Sequence, residues 1–256
     1  MDPSVPTSPE PPGGSYLSVP ALDGGAQGHR TLAEKAFETL HAAIITGRLR
    51  PGTRLPIEEL AQLLRMSPMP IREALRRLDA AGLVENIPHR GARVTELSIT
   101  DLSEVFEARL ALELPAIRRA AERFTSADEA RVRACLAALH RMSDDTSAAT
   151  SAAHEEFHFA LYRAAQSAWL LRLIKPVWET SERYCLETPQ CRQLAARRGE
   201  HEQILEACVA NDPEGADAAL REHLATTANN IAVALGGEAL YPSAAQIRPL
   251  EILARE

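Results

Sequence analysis

The spacing of apolar residues changes twice along the chain, and this change constrains the fold more than any other feature. Helical spacing from about residue 31 to residue 81 predicts three helices, with Gly47 and Gly82 ending the first and the third. Two strand-like runs, 83–87 and 91–95, follow on either side of Pro88-His89-Arg90 and predict a small hairpin. Helical spacing then returns and continues to about residue 235.

These elements predict a mainly α fold in two domains. Three helices and a hairpin are typical of a winged helix-turn-helix, which we place at residues 30–97, followed by an all-helical bundle at residues 98–236. Residues 1–29 are rich in Pro, Gly and Ser, and residues 237–256 are similar in character. We interpret these two ends as flexible tails, because such segments bury too little apolar surface to order themselves.

The charge distribution favours a nucleic-acid partner for the first domain. The chain carries a net charge of -7, which alone argues against DNA binding. Residues 30–96, however, hold eleven basic and eight acidic side chains, so this segment is +3 and the remainder is -10. A basic module attached to an acidic body is typical of a DNA-binding protein with a separate regulatory domain.

Two further features place the protein in the cytoplasm. The four cysteines are far apart and form no Cys-x-x-Cys pair, which is typical of reduced thiols rather than of a disulfide framework or a zinc cluster. The sequence shows neither a signal peptide nor an apolar run near the length of about 18 residues that a membrane span needs. We therefore expect no membrane partner.

The third helix and the hairpin hold the candidate DNA-reading residues. In a helix-turn-helix the exposed N-terminal part of this helix meets base edges in the major groove, and arginine is the commonest reader of guanine. A basic hairpin tip can grip phosphate or enter a minor groove. The alternative is a solvated helix whose Arg72 or Arg77 pairs with Glu73. The candidate residues are Ser67, Met69, Arg72, Arg76, Arg77, His89, Arg90 and Gly91.

Residues 33–97 resemble the DNA-binding domain of the GntR family of bacterial regulators. The matching segments are 44–52 (IITGRLRPG), 60–61 (LA), Ser67 with 70–78 (PIREALRRL), 82–84 (GLV) and 90–91 (RG). Members of this family usually carry Arg-Thr between that serine and the proline, and the arginine contacts a base. Pro68-Met69 stands there in this chain, so one expected guanine reader is missing.

Histidines in the second half suggest a metal site. His154 and His158 are four residues apart on one predicted helix and therefore share a face, where an i,i+4 pair can chelate zinc, nickel, copper or iron. Spacing alone does not bring His201 and His223 to them, and each histidine alone is more simply an exposed or hydrogen-bonded side chain.

The second half also resembles the helical effector domain, called FCD, of the FadR subgroup of this family. The resemblance covers residues 100–235 and rests on Phe157-His158, 200–207 (EHEQILEA) and His223-Leu224. It implies a divalent metal held by one Asp and three His, and an arginine, here Arg109, that faces the pocket and binds a carboxylate. His154 stands where the family has its Asp, so the implied ligands are His154, His158, His201 and His223, or only the last three.

The sequence thus predicts a homodimeric, DNA-binding transcription regulator, by default a repressor of a near-palindromic operator. A small organic acid bound at a zinc or nickel site beside Arg109 is the implied effector. The alternative for Arg109 is an i,i+4 ion pair with Glu113 on a solvated face. The metal itself is an alternative effector. Metal-dependent hydrolysis is a remote alternative, because the sequence has no Gly-rich phosphate loop and no Gly-x-Ser-x-Gly motif.

Overall fold

The computed structural model describes residues 31–87, 91–142, 148–188 and 194–241. The buried apolar side chains form two separate clusters, one on each side of residue 97. The predicted fold class is confirmed: a winged helix-turn-helix precedes an all-helical bundle. In chain order the described elements are α1 (Leu32–Ile45), β1 (Arg54–Leu55), α2 (Ile57–Leu63), α3 (Pro68–Ala80), β2 (Val84–Ile87), β3 (Gly91–Val94), α4 (Ile99–Glu122), α5 (Ser126–His140), α6 (Ala148–Arg163), α7 (Ala168–Glu187), α8 (Leu194–Val209) and α9 (Pro213–Ala234).

The first domain packs α3 across α1, with α2 beside α3. Thr31 caps the start of α1, since its hydroxyl accepts a hydrogen bond from the Glu34 backbone N–H. Gly47, two residues after the last residue of the helix, stops it with a positive φ of 72°, a left-handed conformation that costs glycine little. The core beneath these helices is aliphatic, and Leu40, Ile71 and Leu78 in it are fully buried.

The wing has one more strand than the sequence predicted. β2 and β3 pair as the expected antiparallel hairpin, and β1 pairs with the other edge of β3, so the strand order is β1-β3-β2. β1 contains two residues, which is too short to show a period of two. The pairing is a tertiary contact, in which the Gly52 N–H donates to the Val94 carbonyl and the Val94 N–H donates to the Thr53 carbonyl.

The helical domain is built around α4 and α9, which pack along each other, with α7 also against α4 and α8 against α9. Helices α5 and α6 pack against each other. Large aromatic side chains fill the centre, and Phe106, Phe157 and Trp178 are essentially inaccessible. No helix in the described parts of the chain is both long and apolar enough to cross a membrane.

Residues 237–241 lie beyond the predicted end of the helical domain at residue 236. Tyr241, the last of them, is hydrogen-bonded to helix α9. The backbone N–H of Tyr241 donates to the Asn229 side-chain oxygen at 2.9 Å, and the Asn229 amide donates back to the Tyr241 carbonyl at 2.8 Å. Tyr241 also packs against the main core. The ordered domain therefore reaches at least five residues further than its composition suggested, because a side chain of α9 satisfies this backbone. Residues 1–29 and 242–256 of the predicted tails lie outside the described residues.

Helix α7 belongs to the bundle and also contacts the winged domain. Glu179 Oε2 lies 3.2 Å from Nε2 of His41 on α1. The Arg183 guanidinium donates to the carbonyl oxygen of Thr95, directly after the wing, at 2.6 Å. The Tyr184 hydroxyl donates to the Asp101 carboxylate at the start of α4. This helix thus links the two domains by polar contacts.

Candidate metal centre and nucleic-acid interface

Helix α3 presents its polar face to solvent because its apolar face is buried in the first domain. Ile71, Ala74, Leu75 and Leu78, spaced three to four apart, are all buried. Ser67 occupies the N-cap position without a side-chain capping bond, and Pro68 follows as a favourable first helical residue. The predicted readers are exposed: Ser67, Met69, Arg72, Arg76 and Arg77.

The three arginines of α3 differ in their present contacts. Arg76 makes two hydrogen bonds to Glu73, at 3.0 and 2.7 Å, so the ion pair with Glu73 involves Arg76 rather than Arg72 or Arg77. Arg77 stacks over the Phe37 ring at 4.1 Å. Arg72 has no ion-pair partner among the described residues. An exposed i,i+3 pair is worth little, so the pair with Glu73 holds the Arg76 side chain only weakly.

Only part of the predicted wing contact lies within the described residues. Gly91 begins β3, is exposed and has a φ of 82°. His89 and Arg90 lie outside the described residues. Arg93, the next arginine along β3, pairs across the strands with Glu85 at 2.5 Å and with Glu96 at 3.1 Å. Arg93 therefore stabilises the wing.

The four histidines predicted to hold a metal come together inside the helical domain. His154 and His158 lie on α6, His201 on α8 and His223 on α9. One ring nitrogen from each can be chosen so that all four lie within 4.8 Å of one another. His154 is partly buried, and the other three are at most 2% exposed. The convergence that spacing alone left open is therefore present in the fold.

Unsatisfied ring nitrogens indicate that the cluster fits a metal ion. Nε2 of His158 and both ring nitrogens of His201 are buried without a hydrogen-bond partner in the described structure. Buried polar atoms are normally paired, and an exception calls for a bound group. Four imidazole nitrogens within 4.8 Å of one another suit zinc or nickel, and such an ion would supply a cationic centre that attracts anions.

Neighbouring side chains select which nitrogen of two histidines is available. Glu200 Oε2 lies 2.8 Å from Nδ1 of His223, which leaves Nε2 to ligate. The Tyr162 hydroxyl donates to Glu113 at 2.5 Å and lies 3.4 Å from Nδ1 of His158. Since the Tyr162 proton is used on Glu113, Tyr162 accepts from His158, whose Nε2 then carries no proton.

Burial also holds the rings in the ligating protonation state. It lowers the pKa of His158, His201 and His223 well below the ordinary value of 6.5, and neighbouring histidines and Arg197 lower each of them further. These rings are therefore neutral near pH 7, the form that binds a metal. The fourth ring, His154, has Nδ1 3.7 Å from Glu182 Oε1 on α7.

Arg109 forms a buried ion pair with Glu113. Its Nε donates to Glu113 Oε1 at 2.6 Å, its Nη2 donates to Glu113 Oε2 at 3.2 Å, and its Nη1 donates to the Ser181 hydroxyl. The guanidinium also stacks over Trp178 at 4.5 Å. The ion pair with Glu113 matches the alternative interpretation, but the expected solvated face was wrong, because Arg109 is 4% exposed.

Sequence reasoning missed Arg197, which is also buried at this site. It lies on α8 four residues before His201, and this spacing was the available signal. Its Nη2 lies 3.1 Å from Nδ1 and 3.5 Å from Nε2 of His223, and donates to the His223 carbonyl and the Thr227 hydroxyl. Its Nε donates to Glu200 at 3.1 Å.

Comparison with known proteins identifies the family. Residues 32–94 match the profile described as bacterial regulatory proteins, gntR family, and residues 104–226 match the FCD domain. An uncharacterised HTH-type transcriptional regulator, BphR of Paraburkholderia xenovorans, is 33% identical over 206 residues, covering 76% of this chain and 83% of that protein. The chain belongs to the GntR family, with an FCD domain.

Other GntR-family proteins are similar over most of their length. A probable D-xylose utilization operon transcriptional repressor of Paenarthrobacter nicotinovorans is 33% identical over 196 residues, covering 76% of this chain and 86% of that protein. The structure of E. coli McbR/YncC, 27% identical, superposes with a TM-score of 0.65 over 81% of this chain and 98% of McbR. This GntR-family chain is a DNA-binding transcriptional regulator. Its relatives are regulators rather than enzymes, which sets hydrolysis aside.

Proposed function

We propose that this regulator binds a near-palindromic operator as a two-fold dimer and that a small organic acid, bound at a metal in the histidine cluster, controls its operator affinity. The observation that carries this proposal is the convergence of His154, His158, His201 and His223 inside a domain separate from the DNA-binding surface. Zinc is the first candidate, and nickel the second, for an all-imidazole set. A metal there would add a positive charge that attracts a carboxylate into a buried site.

DNA recognition in this proposal starts from α3. Arg72, Arg76 and Arg77 enter the major groove, with Ser67 and Met69 at the helix start, and His89, Arg90 and Gly91 of the wing contact the backbone or the minor groove. The two recognition helices of a dimer would meet half-sites about one helical turn apart. We assign the default sign as repression, which fits the relative from Paenarthrobacter nicotinovorans that is described as a probable repressor.

Arg109 is the predicted carboxylate contact, and its surroundings define what that requires. Glu113 already accepts from two nitrogens of its guanidinium. An acid would have to share the guanidinium with Glu113. In the observed structure Arg109 donates to Glu113, and Glu113 accepts from the Tyr162 hydroxyl. The Tyr162 oxygen in turn lies 3.4 Å from Nδ1 of His158 and so orients that ring.

A second candidate function is control by the metal alone. Four histidines complete a tetrahedral zinc site, which leaves no open position for an acid unless zinc expands its coordination or an ion with more ligands binds. The role of His154 distinguishes these cases. If His154 ligates the metal, the site has four protein ligands; if it does not, three histidines leave one coordination position open.

Operator binding measured in three states tests both candidates. Fluorescence anisotropy with the chelated protein, the metal-loaded protein and the metal-loaded protein plus a carboxylate library gives the operator Kd in each state. A change that requires the acid supports the first proposal, and a full change on adding metal supports the second. An operator Kd equal in all three states excludes both. Elemental analysis of wild type and His154→Ala shows whether His154 ligates.

A further inference from the structure

Helix α3 begins with an apolar side chain that the protein itself leaves uncovered. Met69, the second residue of the helix, is 74% exposed, the largest exposed fraction among the large apolar side chains that the structure describes. Met66, three residues earlier, packs instead against the core of the first domain. Met69 therefore contributes little to the packing of this domain, and its side chain is available for contact with another molecule.

Met69 lies on the same face of α3 as two of the arginines proposed to read DNA. It precedes Arg72 by three residues and Arg76 by seven, which is two turns of helix. The opposite face is buried in the first domain. In a helix-turn-helix the residues at the start of the recognition helix meet base edges in the major groove. Of the residues on this face, Met69 lies nearest that end.

The start of α3 is poorly suited to bind phosphate. Backbone N–H groups at a helix N-terminus ordinarily attract anions. Pro68 and Pro70 have none, so Met69 supplies the single backbone N–H among the first three helical residues. The Met69 side chain carries no charge, and its sulfur is only a weak hydrogen-bond acceptor. It therefore suits an apolar group better than a phosphate or a hydrogen-bonding base edge.

One base presents an apolar group in the major groove. Thymine carries its C5-methyl group there, whereas adenine, guanine and cytosine offer hydrogen-bond donors and acceptors. The unbranched, flexible side chain of methionine adapts its shape to such a group. Contact between the two removes apolar surface of both from water, which is favourable.

We infer that Met69 reads the methyl group of a thymine in each operator half-site, at the base pair that meets the start of α3. This inference rests on the proposed placement of α3 in the major groove and names the base that the start of this helix recognises. Contact with a methyl group releases no counterions. The contribution of Met69 to operator binding is therefore insensitive to salt, unlike that of an arginine on a phosphate.

Replacement of thymine by deoxyuridine tests this inference, because it removes the methyl group and leaves base pairing unchanged. The probe is the duplex that the full-length protein selects from a random-sequence library, in its chelated or zinc-loaded form, whichever binds DNA more tightly. Each thymine is replaced in turn at the symmetry-related positions of both half-sites, and fluorescence anisotropy gives the Kd. At one such position wild type should lose about fourfold in affinity for each methyl group removed, the value of one buried methyl.

Met69→Ala identifies that position. This variant should bind the thymine and deoxyuridine duplexes equally there, whereas Met69→Leu, which keeps an apolar side chain, should retain the preference for thymine. Val233→Ala shortens an exposed apolar side chain of α9 and is the matched control, so it should behave as wild type on both duplexes. With a C·G pair at the same position, 5-methylation of the cytosine should strengthen binding by wild type and not by Met69→Ala.

Two results overturn the inference: deoxyuridine weakens wild-type binding at no thymine, or Met69→Ala keeps the full preference for thymine at every position. The first comparison uses wild-type protein on both duplexes, so a folding defect in a variant does not affect it. A wild type that selects no preferred duplex in either form refutes the proposed operator binding instead.

Discussion

The exposed face of α3, which we propose reads DNA, and the histidine centre both use nitrogen-bearing side chains on helices, but they differ in exposure. On α3, Arg72, Arg76 and Arg77 face solvent, and Met69 is 74% exposed. In the bundle, His158, His201 and His223 are buried. Water screens the first set, so each residue acts largely alone.

Burial makes the histidines of the centre depend on one another. Each histidine there depends on the others for its ligand geometry, and two of them depend on the carboxylates of Glu113 and Glu200 for their proton positions. Single substitutions should therefore have graded, local effects on α3 and collective effects at the histidine centre.

His158→Ala should abolish metal binding. It removes one ligand and the link to Tyr162, and altering an outer-shell partner alone typically costs 10–100-fold in affinity, so we expect a loss of more than about 100-fold. Elemental analysis after dialysis against a weak chelator measures this. His140→Ala, which changes a histidine outside the four-residue cluster, should keep its metal. Full occupancy in His158→Ala would rule out the site.

Acid should destabilise the metal-free protein. In the unfolded chain the histidines take up protons near pH 6.5, whereas burial lowers the pKa of His158, His201 and His223 in the folded state. Below about pH 6.5 the unfolded state therefore binds more protons, and the free energy of unfolding falls as pH falls. Three rings give a limiting slope of about 4 kcal/mol per pH unit.

Urea unfolding at a series of pH values measures that slope. His158→Ala should reduce it by about one third, because one of three protons is removed. A slope that is the same in this variant and in wild type would show that other groups cause the acid sensitivity.

Arg72→Ala should weaken operator binding by about 1–3 kcal/mol and relax specificity at one base pair. The reason is its exposed position on α3 without an ion-pair partner among the described residues. Anisotropy titrations on the operator and on single-base variants measure both effects. Arg141→Ala, an exposed arginine of the helical domain, serves as the control. Unchanged binding by Arg72→Ala would remove Arg72 from the interface.

Glu179→Gln should have the smallest effect. Glu179 on α7 contacts His41 on α1 and so links the helical domain to the winged domain. Burial raises the pKa of Glu179, but its contacts with His41 and Lys175 outweigh this and lower the pKa overall. The charged form therefore contributes stability above its ordinary pKa, and that stability is lost as pH falls through the lowered value. We expect a loss of less than about 1 kcal/mol near pH 7 and faster proteolysis between residues 95 and 98.

Glu155→Gln is the matched control, since it removes the other carboxylate paired with Lys175 without touching His41. Its proteolysis rate should equal that of wild type. Equal rates in Glu179→Gln would show that the contact between α7 and α1 does not hold the domains together.

The sequence by itself determined the elements whose signals are local. The three-to-four spacing on α3 identifies Arg72, Arg76 and Arg77 as its outward face, since one side of a helix must bury Ile71, Leu75 and Leu78. Glycine at 47 ends α1 because that backbone conformation favours a residue without a side chain. Spacing likewise places His154 and His158 on one face of α6.

Only the tertiary structure decided which distant residues meet. β1 exists because two residues pair with β3, and Arg109 is buried rather than solvated because Ser181 and Trp178 of α7 cover it. Arg197 and Glu200 join the histidine centre because α8 packs against α9. Burial and proximity are properties of the packed core: they bring four separate histidines together and lower the pKa of His158, His201 and His223, which no spacing in the chain specifies.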